Sequence, residues 1–261
     1  MKHTVSRLVS LGLAGLLLVA TAAPALAASD PARDPASDAQ LRHGRCADEW
    51  RAFATDPTIS EGKALGACEI DRRLEDLGKV HDRVIASKVM TDQHKATSLR
   101  IVDRTTAGLR DLRAEIQGDT TLASLMEDLR RIAPEFRVYL VVIPQIHLTD
   151  AADAVGVIGG HFDRFAEKAD GYIKLAKAAG HDTSDAEAAL ASMNAHVAAA
   201  EALVDGLAAK VLELTPADWN DGSAKPILEQ ARQDLRAARD ELHAARSDAR
   251  AVIEALRALR D

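Results

Sequence analysis

From Leu228 to the end of the chain, Leu228, Leu235, Leu242, Ala249 and Leu256 alternate with Ala231, Ala238, Ala245, Val252 and Leu259 without a skip. Steps of three and four residues place these side chains along one seam of a single α-helix. Alternating a large Leu with a small Ala lets neighbouring helix axes approach closely. Arg232, Arg239, Arg246 and Arg260 flank one side of the seam, and Asp234, Glu241 and Asp248 flank the other. Such a charged rim orients partner helices. The same alternation recurs from Val155 through Phe162 and Phe165 to Ala179, and again from Leu190 through Val197 to Leu214. Short turn regions at 180–183 and 215–225 favour antiparallel neighbours within one chain. The spacing therefore predicts helices over 149–179, 184–214 and 226–260 in an antiparallel three-stranded core. Helices of this length span roughly 45 Å. The expected fold is all-α, an elongated antiparallel helical bundle or coiled coil.

Composition agrees with this reading. Apolar residues make up 47% of the 261 residues and aromatics only 3%. That contrast favours Ala/Leu helix packing over a β-sandwich or an aromatic-lined pocket. At the N-terminus Lys2, His3 and Arg7 precede the apolar stretch Leu8–Ala20, and Ala25-Leu26-Ala27 has the small-x-small pattern of a cleavage signal. The expected organisation is a signal peptide at 1–27, a flexible leader at 28–44 rich in Ala, Asp, Ser and Pro, and one helical bundle domain at 45–261. Removing Lys2 and Arg7 with the signal takes the formal charge from −7 to about −9. An acidic chain of this kind argues against nucleic acid and against an anionic membrane surface as partners. No uninterrupted apolar run of spanning length follows the signal, and no cysteine follows Ala27 for lipid attachment, so no integral span is expected and secretion is. In an exported chain the only two cysteines, Cys46 and Cys68, read as a disulfide.

Along the N-terminal half, Cys46, Trp50 and Phe53 fall on one face of a short helix ending before Asp56-Pro57. Thr58-x-x-Glu61 has capping-box spacing, and Ala67, Ile70, Leu74, Leu77, His81 and Val84 mark a helix over about 59–88. Thr91-Asp92 offers a second N-cap before the stripe Val102, Leu109, Leu112 and Ile116, whether as a break or a bend. Asp119 or Thr120 caps a shorter helix carrying Leu122, Leu125, Met126, Leu129 and Ile132. The stretch Phe136–Pro144 is β-branched and continuously apolar, yet Phe136, Tyr139, Leu140 and Ile143 also fit one helical face. Helix is expected there, because a lone strand would leave buried backbone unpaired. Ser184-x-x-Glu187 is a further capping box, and Asp218–Ala224 a turn-rich connection.

Few residues offer chemistry. His81 lies on an apolar stripe, but no Glu-x-x-His pair accompanies it as di-iron bundles require. His147, Asp150 and Asp153 stand three apart, and His161 lies near Asp163 and Glu167. Acid and histidine groups near a helix start usually serve as caps and solvated faces. The carboxylates Asp71, Glu75 and Asp76 are of a kind that exposed charged helices produce by chance. No nucleophile elbow, P-loop, dinucleotide fingerprint or metalloprotease motif is present. No catalytic residue, metal or cofactor is expected, and the protein reads as a non-enzyme. The residues singled out as a possible ligand or interaction surface are His81, Phe136, Tyr139, Ile143 and His147.

The chain also resembles a set of uncharacterised exported helical, coiled-coil-rich proteins of high-GC Gram-positive bacteria. The likeness lies in Gly108-Leu109-Arg110-Asp111-Leu112-Arg113-Ala114-Glu115-Ile116, in Phe136–Pro144 followed by Ala151-Ala152-Asp153, and in Leu214-Thr215-Pro216-Ala217-Asp218. It implies export and a helical fold and carries no activity with it. The expected role is structural or protein-interacting, through self-association or a protein partner on the helical faces, at or outside the cell envelope. The alternative is an extracytoplasmic binding module for an apolar ligand or a metal near His81 or the 136–144 run.

Overall fold

The structure, a computed structural model, describes residues 44–259. The expected signal peptide, nearly all of the leader and Arg260 lie outside the described residues. The fold is all-α, with no strand among the described residues. The helices are α1 (Ala47–Thr55), α2 (Ile59–Ala86), α3 (Asp92–Gly118), α4 (Leu122–Arg131), α5 (Ile143–Ala178), α6 (Ser184–Val204), α7 (Leu207–Leu212), α8 (Pro216–Asn220) and α9 (Ala224–Ala258). A π-helical turn, Val138–Val142, leads into α5. The described chain divides into two compact units. One runs up to Asp153 and includes Gly206–Arg232, and the other comprises Ala154–Asp205 and the chain from Gln233.

In the first unit Thr58 and Thr91 cap their helices as expected, but the Thr58–Glu61 box is only half made, since the Thr58 N–H donates to the Asp56 carbonyl (2.8 Å). The Glu61 N–H donates to Thr58 Oγ1 at 3.2 Å, which starts α2. Thr91 plays the same part for α3, accepting from the His94 N–H at 3.2 Å. The chain breaks between these helices rather than bending. Two acids of α5 brace the break, since Ser87 Oγ donates to Asp150 (2.7 Å) and the Thr91 N–H to Asp153 (2.9 Å). The cap of α4 differs from the expected Asp119 or Thr120. Asp119 instead closes α3, and Thr121 Oγ1 accepts from the Ser124 N–H. Ile70, Leu77, Val84, Val102, Leu109, Leu112, Ile116 and Leu125 form the buried centre, joined by Val138, Val142 and Ile146 from beyond the π-turn.

The 136–144 run is helical, but its buried face is not the one its periodicity suggests. Phe136, Tyr139 and Ile143 are half-buried against the core, whereas Val138, Val141 and Val142 are buried. Two features shift the register. Arg137 takes a left-handed backbone (φ 38°), starting the turn abruptly. Pro144 lacks an N–H and its ring crowds the carbonyl four residues back, so the preceding turn widens to π geometry. The Arg137 carbonyl accepts from the N–H groups of both Val141 (2.8 Å) and Val142 (3.3 Å). Each added residue rotates the side chains about 100° around the axis. By length and composition, Val138–Ala178 could cross a membrane, with a window of mean hydropathy 1.3 that is 44% buried inside the protein.

In the second unit α5, α6 and α9 share their cores. Phe165, Ala169 and Ile173 pack with Ala186, Met193 and Val197 and with Ala245, Val252 and Leu256. A second layer joins Val155, Ala200, Ala238 and Leu242. Gly180 (φ 89°) closes α5 in a Schellman motif, with the His181 N–H on the Ala176 carbonyl and the Gly180 N–H on Lys177. Three expectations need correction here. Ser184 is the first helical residue rather than the cap, because the Asp182 carboxylate takes its N–H (3.0 Å). The expected helix over 184–214 stops at Val204, since Gly206 turns left-handed (φ 66°) and starts the separate α7 in the first unit. The expected loop at 218–224 contains most of α8, whose Thr215–Asp218 capping box is complete. Along α9, Ala238, Leu242, Ala245, Val252 and Leu256 are buried and Leu235 and Ala249 half-buried, as is Leu259 just past its end.

Candidate ligand-binding cleft

A cleft of about 400 Å³ opens in the first unit between α1, α2, α4 and the π-turn. This volume lies within the range of small-molecule sites, about 300–1,000 Å³. Trp50 and Phe53 of α1 form one wall, and the Cys46–Cys68 disulfide ties that helix to α2. Phe53 is buried, but Trp50 remains 43% exposed, so the face expected to dock as a whole keeps its tryptophan at the cleft. Leu65 of α2 and Met126, Leu129 and Ile132 of α4 and its C-cap complete an apolar surface. Leu140 and Tyr139 of the π-turn also line it. Gly62 and Gly66 of α2 make this geometry possible. A Cβ at Gly62 would stand 2.6 Å from Leu125, and one at Gly66 2.9 Å from Leu129.

Arg72 and Arg73 line this cleft, although each is only 8% exposed. Both guanidinium groups converge on one carboxylate. Arg72 Nη2 donates to Glu69 Oε2 at 2.7 Å, and Arg73 Nη1 donates to the same oxygen and to the Glu69 carbonyl (2.7 Å). Burial raises the pKa of Glu69, but hydrogen bonds from Arg73 and Arg72 more than offset that and hold it below its ordinary value. The guanidinium carbons lie 4.9 Å and 5.6 Å from the centre of the Tyr139 ring, within cation–π range. Burial and then the hydrogen bond to Asp76 push the Tyr139 phenol up. Asp76 in turn meets Lys79 (3.3 Å) and Arg45 (4.0 Å). Arg130 and Arg137 also line the cleft, so among the described residues its charged lining is four arginines and one glutamate.

Of the five residues singled out from sequence, only Tyr139 lines the cleft. Phe136 packs over α3, where a Cβ on Gly108 would meet its Cε1 at 2.7 Å. Ile143 packs against the first unit's core. His81, 36% exposed, stands 3.5 Å from Asp82 and 4.0 Å from Asp103, at the margin of the apolar stripe. His147 is half-buried, and burial, with Arg83 adding to it against the pull of Asp150, lowers its pKa. Asp153 is engaged by His94 Nδ1 at 2.9 Å. Among the described residues, one trio of potential metal ligands lies close together, Cys46, Glu49 and Cys68, and its two sulfurs are bonded to each other.

The arginine pair was missed from sequence, though a signal was present. Gly66, Ile70, Arg73, Leu77, Val80 and Val84 follow the three-four alternation, which sets a charge in a buried position. A second depression, in the second unit, is larger at about 520 Å³ but is a weaker candidate. Its charged lining residues pair with one another, Lys174 with Asp170 (2.6 Å) and Lys177 with Glu187 (2.7 Å). Comparison with protein-family models, curated proteins and solved structures finds no match to this chain.

Proposed function

We propose that this protein is an exported, non-enzymatic helical binding protein that holds a small apolar molecule in the cleft beside Tyr139. The observation that carries this reading is the cleft itself, whose apolar walls gather Trp50, Phe53, Leu65, Leu129 and Leu140 in an otherwise aromatic-poor chain. Apolar walls with a few convergent polar groups are what small-molecule sites have in common. Export is supported by the N-terminal pattern and by the Cys46–Cys68 bond, which oxidising compartments favour. Membership of the exported coiled-coil-rich group belongs to the same proposal, as does the absence of an integral span.

The test is titration of the mature protein with N-phenyl-1-naphthylamine, a neutral dye that brightens in apolar surroundings. Saturable binding at one site per chain is expected, and Ala133→Trp, which fills the cleft mouth, should abolish it while the melting temperature holds. A dye signal that the tryptophan leaves intact would overturn the cleft as the binding site.

A second reading, self-association of an elongated coiled coil or docking of a protein partner on a helical face, is favoured by Leu175 of α5, 65% exposed. Against the rim as the docking element, its acids Glu241 and Asp248 already meet His196 of the same chain at 2.6 Å and 3.8 Å. Concentration-dependent mass in sedimentation separates this reading from a monomeric binder.

A further inference from the structure

We infer that the cleft selects a single-chain amphiphile with an anionic head, a carboxylate or phosphate ester set against Arg72 and Arg73 with its aliphatic part along Leu65, Leu129 and Leu140. This rests on the cleft being a ligand site and adds the chemistry of the ligand. Three observations lead to it.

The first is charge. The whole chain carries −7, yet among the described residues the cleft is lined by four arginines and a single carboxylate. Asp76, which holds the Tyr139 hydroxyl at the cleft, is committed to Tyr139, Lys79 and Arg45. A positive site in an acidic protein attracts anions to that one place.

The second is unspent hydrogen-bonding capacity. Each guanidinium has five N–H donors in a fixed fork. Among the described residues, Arg72 hydrogen-bonds through Nη2 alone and Arg73 through Nη1 alone, both to Glu69. Arg72 Nε is fully buried and has no hydrogen-bond partner among the described residues. Taking two cations out of water against one anion is unfavourable, and a single shared carboxylate does not repay it. A second anion does, because planar carboxylate and phosphate oxygens match the guanidinium fork.

The third is the apolar remainder. Trp50, Phe53, Leu65, Leu129 and Leu140 offer an inorganic anion nothing, whereas an alkyl chain buries against them. Head and tail requirements therefore meet in one molecule. The Tyr139 ring, bonded to Asp76, lies within cation–π range of both guanidinium groups.

Calorimetric titration of the oxidised mature chain with decanoate, decyl phosphate, decanol and inorganic phosphate, below micelle concentrations, tests each part. Decanoate and decyl phosphate should bind at least about tenfold more tightly than decanol, with affinity falling as salt rises. Inorganic phosphate should show no saturable binding. Arg73→Met should remove most of the preference for decanoate over decanol, read as the ratio of the two affinities in the same variant. Because this ranking is read on the unaltered chain, misfolding of a variant does not spoil it. Decanol equal to decanoate would overturn the anionic head while sparing the apolar cleft. Phosphate as tight as decyl phosphate would overturn the amphiphile. Binding of none of these, together with no binding of the neutral dye, would overturn the cleft reading itself.

Discussion

The hydroxyl of Tyr139 donates a 2.8 Å hydrogen bond to Asp76, joining the π-turn to α2 across 63 residues of sequence. The bond sets the plane of the ring that faces Arg72 and Arg73. Tyr139→Phe keeps the ring and removes the donor. Because Asp76 is partly solvated and keeps Lys79, the change should cost only about 1 kcal/mol in chemical denaturation. Tyr139→Ala also removes the surface under both guanidinium groups and should cost about 3 kcal/mol or more. Equal losses in the two variants would mean that the ring contributes nothing beyond its hydroxyl.

The disulfide acts on the same cleft from the other side. Cys46 and Cys68, 22 residues apart, anchor α1 to α2, and α1 supplies Trp50 and Phe53 to the cleft wall. Closing a loop of this size stabilises by about 3 kcal/mol in the chain-entropy model. The Cys46→Ser, Cys68→Ser variant should lose about that much stability and bind the neutral dye more weakly. Trp50 emission should shift to the red as α1 loosens, read in a Trp219→Phe background that leaves one tryptophan. Unchanged emission and affinity would show that α1 holds its place without the bond.

Legibility of the chain followed the strength of local signals. The α9 seam was readable because ten positions repeat without a gap, and the caps at Thr58 and Thr91 because a side-chain oxygen three residues before a free N–H acts locally. The end of α6 was not, since the apolar stripe continues through Gly206 into Val211 and Leu214, and only the backbone of Gly206 turns. The buried face of 138–142 was misjudged because a π-turn shifts the register that periodicity assumes. Average composition argued against an aromatic-lined pocket, yet averages are blind to clustering, and Trp50, Phe53 and Tyr139 meet in one place. Arg73 falls on the buried stripe of α2 by its spacing, but its charge masks that signal, and Arg72 beside it is off the stripe and is buried as well.

Glycines inside α2 separate packing from propensity. A Cβ on Gly66 would stand 2.9 Å from Leu129 Cδ2 and 3.0 Å from the buried Ile116, whereas nothing lies within 4 Å of one on Gly78. Gly78→Ala should therefore stabilise by about 1 kcal/mol through helix propensity alone. Gly66→Val should destabilise by about 2 kcal/mol, because α4 must move off α2. Thermal melts of the two variants decide this, and a Gly66→Val chain as stable as the parent would mean that the α2–α4 contact yields freely.

Acid should weaken the first unit through His147. Burial, reinforced by Arg83 and opposed by Asp150, holds its pKa below the ordinary 6.5. The folded chain therefore resists protonation that the unfolded chain accepts. Between 6.5 and the lower folded value the unfolded state binds more protons, so stability is full above 6.5 and declines as pH falls toward the folded value. Glu69 acts in a more acidic window. Its folded pKa lies below 4.5, so its contribution is present above 4.5 and is lost as pH falls through the folded value. Denaturation midpoints measured from neutral pH down to about pH 5, a range that excludes Glu69, should decline in the parent. The decline should be shallower in His147→Gln, which cannot take up a proton. Parallel pH profiles for the two chains would assign the acid sensitivity to other groups.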